Sequence, residues 1–178
     1  MRPALALLAV GWLAVIVQGG LALLLPGWAV PELALLVTLA GASALEPGYG
    51  LVVAAGIGLG GDMVSSPPLG QLAFLRLLEL TLARLVSSQL DLRRGLPLMV
   101  FAFAVALFDG VAQIVLGRLL LGAFPLQPVE LIALFGRALV SAPLAPAALA
   151  LSRRVRARLD ESEARRDMRL DTRRPVLR

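Results

Sequence analysis

Four charged side chains sit inside apolar runs: Arg76 and Glu79 in Leu75-Arg-Leu-Leu-Glu-Leu80, Asp109 in Leu107-Phe-Asp-Gly110, and Arg137 in Phe135-Gly-Arg-Ala138. A lone charge at the centre of a bilayer costs ~2.5–3.5 kcal/mol on the insertion scale, so such groups are expected to face a bundle interior and pair. The pairs expected are Arg76 with Glu79 or Asp109, and Asp109 with Arg137. A layer of this kind can act as polar glue that fixes helix register, as a substrate or ion site, or as a place for proton or catalytic chemistry. Asp62 and Asp109 could in principle form an acid/base or aspartyl-protease pair. Asp62 falls at the outer end of its segment and Asp109 near mid-membrane, a poor geometry for groups that must share a proton. Neither is flanked by a hydrolase motif, so no catalytic residue is assigned. The chain has no Cys and no His, which excludes thiolate nucleophiles, disulfides and the usual zinc or haem ligands; no metal and no cofactor is expected.

The elements that must position these charges are apolar. Hydrophobic residues make up 58% of the 178 positions and the mean hydropathy is +0.84, values of a polytopic membrane protein rather than a soluble domain. A spanning helix needs ~20 apolar residues, and six segments are candidates: 3–25, 27–45, 48–63, 69–90, 97–120 and 129–151. The expected fold is therefore all-α, with six transmembrane helices over residues 1–151 and a tail at 152–178, partly helical and disordered from about Leu170. No soluble catalytic domain has room, so function is expected in the bilayer or on the tail. The first run continues to Leu25, past the ~7–15 residues of a cleavable signal core, and reads as a retained span. Pro31 cuts the second segment, and the third spans only ~22 Å of a ~30 Å core. These two are short, tilted or a re-entrant pair. At ~1.5 Å per residue from the outer helix ends, Arg76 is ~10 Å deep, Glu79 ~15 Å, Asp109 ~16 Å and Arg137 ~12 Å, one layer of alternating sign. Arg84 and Arg118 lie nearer the ends and are expected to snorkel.

Orientation follows from the arginines. All 17 basic residues are Arg, and basic residues favour cytoplasmic loops. The side holding Arg2, Arg93, Arg94 and the tail is thus expected to be cytoplasmic. The loops around Pro26–Val30, Val64–Pro68 and Gly122–Pro128 carry no basic residue and face outward, which puts both termini in the cytoplasm. Charge divides at Leu151: seven Arg balance seven acidic residues up to it, and ten Arg outweigh five acidic residues beyond it. Arg153, Arg154, Arg156 and Arg158 would meet anionic headgroups at ~1 kcal/mol each. They serve either as an anchor continuing the last helix or, with Arg93 and Arg94, as a docking strip for a cytoplasmic partner.

Small residues mark close helix approach, with Gly50, Ala54 and Gly58 at four-residue intervals in segment three and Ala102, Ala106 and Gly110 in segment five. Gly56-Ile-Gly-Leu-Gly-Gly61 is no phosphate loop, because no Lys-Ser/Thr follows and no strand–loop–helix unit surrounds it. Between segments three and four the chain reads Gly58-Leu-Gly-Gly-Asp62-Met-Val-Ser65-Ser-Pro-Pro68-Leu-Gly70-Gln-Leu72-Ala73. Asp62 and the Ser65 and Ser66 hydroxyls can cap the turn and the incoming helix, while Pro67 and Pro68 break the chain before Leu69.

That stretch resembles the rod shape-determining protein MreD family, whose third helix ends in an Asp followed by a Ser/Gly turn and a Pro-Leu-Gly that opens the next helix. Asp62, Ser65, Pro68, Leu69 and Gly70 carry the match, and the length, six short-looped segments and the Arg93-Arg94 pair also look like that family. Ser66 and Pro67 depart from it where a small or Gly residue would be expected, and the tail is longer. The resemblance implies a non-enzymatic inner-membrane scaffold of the cell-elongation machinery, linking MreB, MreC and the peptidoglycan synthases. It also implies a fold similar to the substrate-binding subunits of energy-coupling-factor transporters, which keeps a small-molecule transporter subunit as the alternative. Against that alternative, a vitamin pocket usually has aromatic walls, and the chain holds one Tyr and two Trp.

Overall fold

A computed structural model describes residues 2–65, 68–89, 95–121 and 127–171, with the side chains of 88, 89, 121 and 159–171 left aside. The described residues are helical, with no strand among them. The helices are α1 (Arg2–Leu24), α2 (Leu33–Ala44), α3 (Pro47–Val64), α4 (Gln71–Gln89), α5 (Gly95–Leu121), α6 (Pro128–Ser141) and α7 (Ala145–Asp171). Single 3-10 turns at Gly27–Ala29 and Ala142–Leu144 precede α2 and α7.

Proline sets most of the boundaries. Pro47 and Pro128 open α3 and α6, where a missing N–H interrupts no helical hydrogen bond. Pro31 holds the chain extended between the first 3-10 turn and α2, so segment 27–45 is a turn followed by a helix that begins only at Leu33. Pro143 and Pro146 each remove a backbone donor, and the chain tightens into the Ala142–Leu144 turn between α6 and α7. The sixth expected segment, 129–151, is therefore two helices rather than one. The second of them runs without interruption through position 151 to Asp171, so the apolar part and the basic tail share a helix. The tail expected to be disordered from about Leu170 is still helical at Leu170 and Asp171; residues 172–178 lie outside the described residues, as do Arg93 and Arg94.

Four stretches among the described residues are long and apolar enough to cross a membrane, α1, Gly27–Ala44, Gly95–Leu120 and Pro128–Arg158, which marks a membrane protein. α3 and α4 are not among them. Asp62 and a glycine-rich composition lower the hydropathy of α3, and Arg76, Glu79 and Arg84 lower that of α4.

α2 lies at the centre, packed against α1, α3, α4, α5 and α7. One core joins Leu35, Leu36 and Leu39 of α2 to Ala102, Val105 and Ala106 of α5, with Ala138 and Leu149 closing it. A second joins Leu7 and Val15 of α1 to Ala34 of α2 and to Val53 and Ile57 of α3. The small-residue stripe of α3 is used against α4: a Cβ on Gly58 would overlap the Ala73 backbone, standing 2.6 Å from its nitrogen and 2.7 Å from the Leu72 oxygen. The two helix backbones can approach this closely only because position 58 has no side chain. Ala102 and Ala106 of the α5 stripe lie in the first core, and a Cβ on its Gly110 would stand 3.1 Å from the Leu134 side chain of α6.

Candidate functional site

Arg76 and Glu79, three residues apart on α4, project from one helix face into the bundle, where Arg76 is 3% exposed and Glu79 fully enclosed. α5 crosses at this level and delivers Asp109, also enclosed. Arg76 spans both carboxylates, with Nη1 on Glu79 Oε2 and Nη2 3.4 Å from Asp109 Oδ2. Gln113, one turn along α5, donates to the same Asp109 oxygen at 2.8 Å. Both of the partners expected for Arg76 are therefore engaged by one guanidinium.

The expected Asp109–Arg137 pair is not formed. Arg137 donates through Nε to the Gly27 carbonyl at 2.7 Å, places Nη1 3.5 Å from Glu32 Oε1, and leaves its side chain 41% exposed. The cause is the seating of α6 against the Gly27–Ala29 turn. Gly136 backs so closely onto that turn that a Cβ would stand 2.7 Å from the Trp28 oxygen, which carries the next residue to the N-terminus of α2 rather than to α5. Arg137 thus belongs to a neighbouring network and not to the enclosed Arg76/Glu79/Asp109 group.

That neighbouring network is built on Glu32, a residue the sequence reading passed over. It immediately precedes α2, is 6% exposed, and its backbone N–H donates to Ser141 Oγ at 2.8 Å. Gln18 of α1 donates to Glu32 Oε2 at 2.7 Å and accepts from the Ala34 N–H at 3.2 Å, so it caps α2 from another helix. A carboxylate at this end of α2 is favoured by the partial positive charge of the first N–H groups. The signals were present, an acidic residue beside Pro31 and single amides at 18 and 113 in apolar runs, but neither amide pattern names its partner.

Between the helices are two cavities of about 220 Å³ each, and both are bordered by Glu32, Gln113 and Arg137. The first also reaches Gln18 and Arg76, the second Gly110 and Glu130. At ~30 Å³ per water, each has room for several water molecules or one small polar molecule. The arginines nearer the helix ends hold partners instead of simply reaching for the surface. Arg118 pairs with Glu130 at 2.7 Å. Arg84 donates to the carbonyls of Leu45 and Glu46, both at 3.2 Å.

The loop signature is a helix cap. Asp62, 5% exposed, accepts from the N–H groups of Gly70 and Leu72, both at 2.9 Å, and of Ala73 at 3.4 Å. The carboxylate closing α3 therefore satisfies the first donors of α4 across the turn. Gly70 adopts φ 95°, a left-handed conformation that favours glycine, and the Pro68 carbonyl accepts from Gln71 at 3.1 Å. Leu69 is exposed. Ser65 is exposed too and engages through its N–H to Gly61 rather than by a hydroxyl cap; Ser66 and Pro67 lie outside the described residues. With its oxygens on backbone donors, Asp62 stands in a different network from Asp109.

On the tail, Arg153, Arg154 and Arg158 are exposed, while Arg156 reaches back to the Ala44 carbonyl at 2.9 Å. With Arg84 on Leu45 and Glu46, two guanidiniums cover the end of α2, where unsatisfied carbonyls carry partial negative charge. Among the described residues no group of three or more His, Cys, Asp and Glu side chains converges as a metal centre would require. No protein-family model, no curated protein and no solved structure matches this chain.

Proposed function

We propose that this protein is a non-enzymatic scaffold of the bacterial cell-elongation machinery, held in the inner membrane by six spans with both termini cytoplasmic. It would link MreB on the cytoplasmic side and MreC outside to the peptidoglycan synthases. The observation that supports this reading is the Asp62–Gly70 turn. The residues that carry the MreD resemblance form one working unit, in which Asp62 caps α4 and Gly70 permits the turn. A second support is that the intramembrane charges are engaged with one another and with backbone carbonyls. Such an arrangement sets helix register and leaves apolar helix faces for lipid or partner helices. Arg153, Arg154 and Arg158 would then meet anionic headgroups or a cytoplasmic partner. In this reading α3 and α4 form the third and fourth spans.

The two cavities favour a second reading, a substrate-binding membrane subunit of an energy-coupling-factor type transporter. Their walls bring together Gln18, Glu32, Arg76, Gln113 and Arg137, a set that could hold a small polar molecule. Depletion in the native bacterium separates the two. Rounded cells and loss of MreC crosslinking are expected for the scaffold. Normal shape with reduced uptake of one small molecule would replace it with the transporter reading.

A further inference from the structure

The two cavities between the helices share Glu32, Gln113 and Arg137, and the first adds Gln18, Ser65 and Arg76. The rest of the first cavity's wall is aliphatic or glycine. Each cavity therefore presents a carboxyl and a guanidinium side by side in otherwise mostly apolar surroundings. Arg76 brings no free charge, since its guanidinium is held between Glu79 and Asp109.

What the shared residues leave unused defines what fits. Arg137 spends Nε on the Gly27 carbonyl, and its Nη1 stands 3.5 Å from Glu32 Oε1, beyond the ~2.7–2.9 Å of a charge-assisted hydrogen bond. Its Nη2 meets no acceptor among the described residues. Glu32 takes its one close bond on Oε2, from Gln18 at 2.7 Å. Gln113 gives its amide nitrogen to Asp109 at 2.8 Å, and no described residue donates to its Oε1. Unspent donors of positive charge thus lie a few ångströms from unspent acceptors. An anion alone would meet Glu32 and a cation alone would meet Arg137, each in a wall with little water to screen the repulsion. A molecule that carries both charges close together satisfies both sides.

We propose that the cavity at Glu32 and Arg137 binds a small zwitterion, with a carboxylate and an ammonium on neighbouring atoms as in an α-amino acid. The Nη1 and Nη2 edge of Arg137 suits the two oxygens of a carboxylate, and the ammonium donates to Glu32 and to Gln113 Oε1. The volume of about 220 Å³ equals roughly seven waters at ~30 Å³ each, which admits glycine or alanine and excludes a long side chain. The mouth lies at the C-terminal ends of α1 and α3, where Ala22, Val64 and Ser65 border the cavity and are exposed. As a transport substrate such a molecule rests on the transporter reading; its binding does not.

Equilibrium dialysis of radiolabelled glycine and alanine against the full chain in lipid nanodiscs tests this, with acetate and methylammonium as single-charge competitors. Saturable binding is expected, displaced by the unlabelled zwitterions and by neither single ion. Arg137→Gln and Glu32→Gln should each weaken it about tenfold or more, as the loss of a hydrogen bond to a charged group would. Should either variant fail to fold, Gly19→Leu replaces it. Gly19 borders the cavity, and a Cβ there meets only Val64, at 3.5 Å, so the larger side chain fills the space and binding should be lost while the melting midpoint is kept. No saturable binding of either amino acid, equal displacement by acetate or methylammonium alone, or unchanged binding in Gly19→Leu overturns the proposal. Binding in nanodiscs with undiminished amino-acid uptake by depleted cells would uphold the site and refute the transporter reading alone; reduced uptake without binding would refute the site alone.

Discussion

Replacing Asp62 by Ala removes one side chain and leaves three helix N–H groups to find other partners. In the native turn the carboxylate accepts from Gly70 and Leu72 at 2.9 Å and more weakly from Ala73 at 3.4 Å. An N-cap lost from an ordinary helix costs ~0.5–2 kcal/mol, and hydrogen bonds to a charged group contribute ~1.5–3 kcal/mol each. Two full bonds would therefore set an upper bound of ~6 kcal/mol. Gly70 is only half-buried, so water replaces part of what it loses, while the Ala73 donor is buried and recovers little. The expected loss is about 3 kcal/mol, which at this chain length lowers the melting midpoint by ~6–12 °C. Asp62→Asn keeps one acceptor oxygen and should lose about half as much. Ser65→Ala, at an exposed position with only a backbone bond, should lose almost nothing. Midpoints can be read from the near-ultraviolet signal or from protease resistance of the detergent-solubilised protein. An Asp62→Ala protein that melts with the wild type would refute the capping role, and with it the physical content of the turn that carries the MreD likeness.

Arg137→Ala should destabilise the protein because it leaves Glu32 enclosed against Gln18 alone, and adding Glu32→Gln should recover part of the loss; in a double-mutant cycle Arg137→Ala with Asp109→Ala should come out close to additive, and strong coupling there would contradict the separation of the two networks. Gly58→Val should prevent close packing of α3 on α4 and lower expression and melting sharply, whereas Gly117→Ala, which meets nothing within 4 Å, should raise stability by ~0.5–1 kcal/mol as judged by the shift in midpoint. Because the chain has no native Cys, single cysteines report topology cleanly: Arg93→Cys should resist an impermeant thiol reagent in intact spheroplasts and Trp28→Cys should react, and labelling in the opposite sense would invert the orientation.

What could be read from the sequence was whatever depends on spacing along one helix or on composition. Arg76 and Glu79 share a face because three residues make most of a turn. The apolar runs and their prolines place the helices, although the pair Pro143 and Pro146 was passed over as a break. Asp62 could be assigned to a turn because its partners lie within eleven positions of it in the chain. Depth along a helix was also countable, and on that count Arg137 and Asp109 shared a layer.

Depth, however, says nothing about lateral position. Which of two carboxylates at similar depth Arg137 meets is decided by where α6 sits, and that depends on Gly136 accepting the Trp28 backbone, a contact more than a hundred residues apart in sequence. The same holds for Gln18 capping α2 and for Arg156 covering the end of that helix. Arg76 reaches both Glu79 and Asp109 only because α4 and α5 cross at that level. Helical periodicity and hydropathy are local properties, so the sequence by itself determined an all-α membrane chain with buried charges of both signs. Partner choice and the two cavities were decided by tertiary packing, since each requires groups from separate helices to meet within a few ångströms.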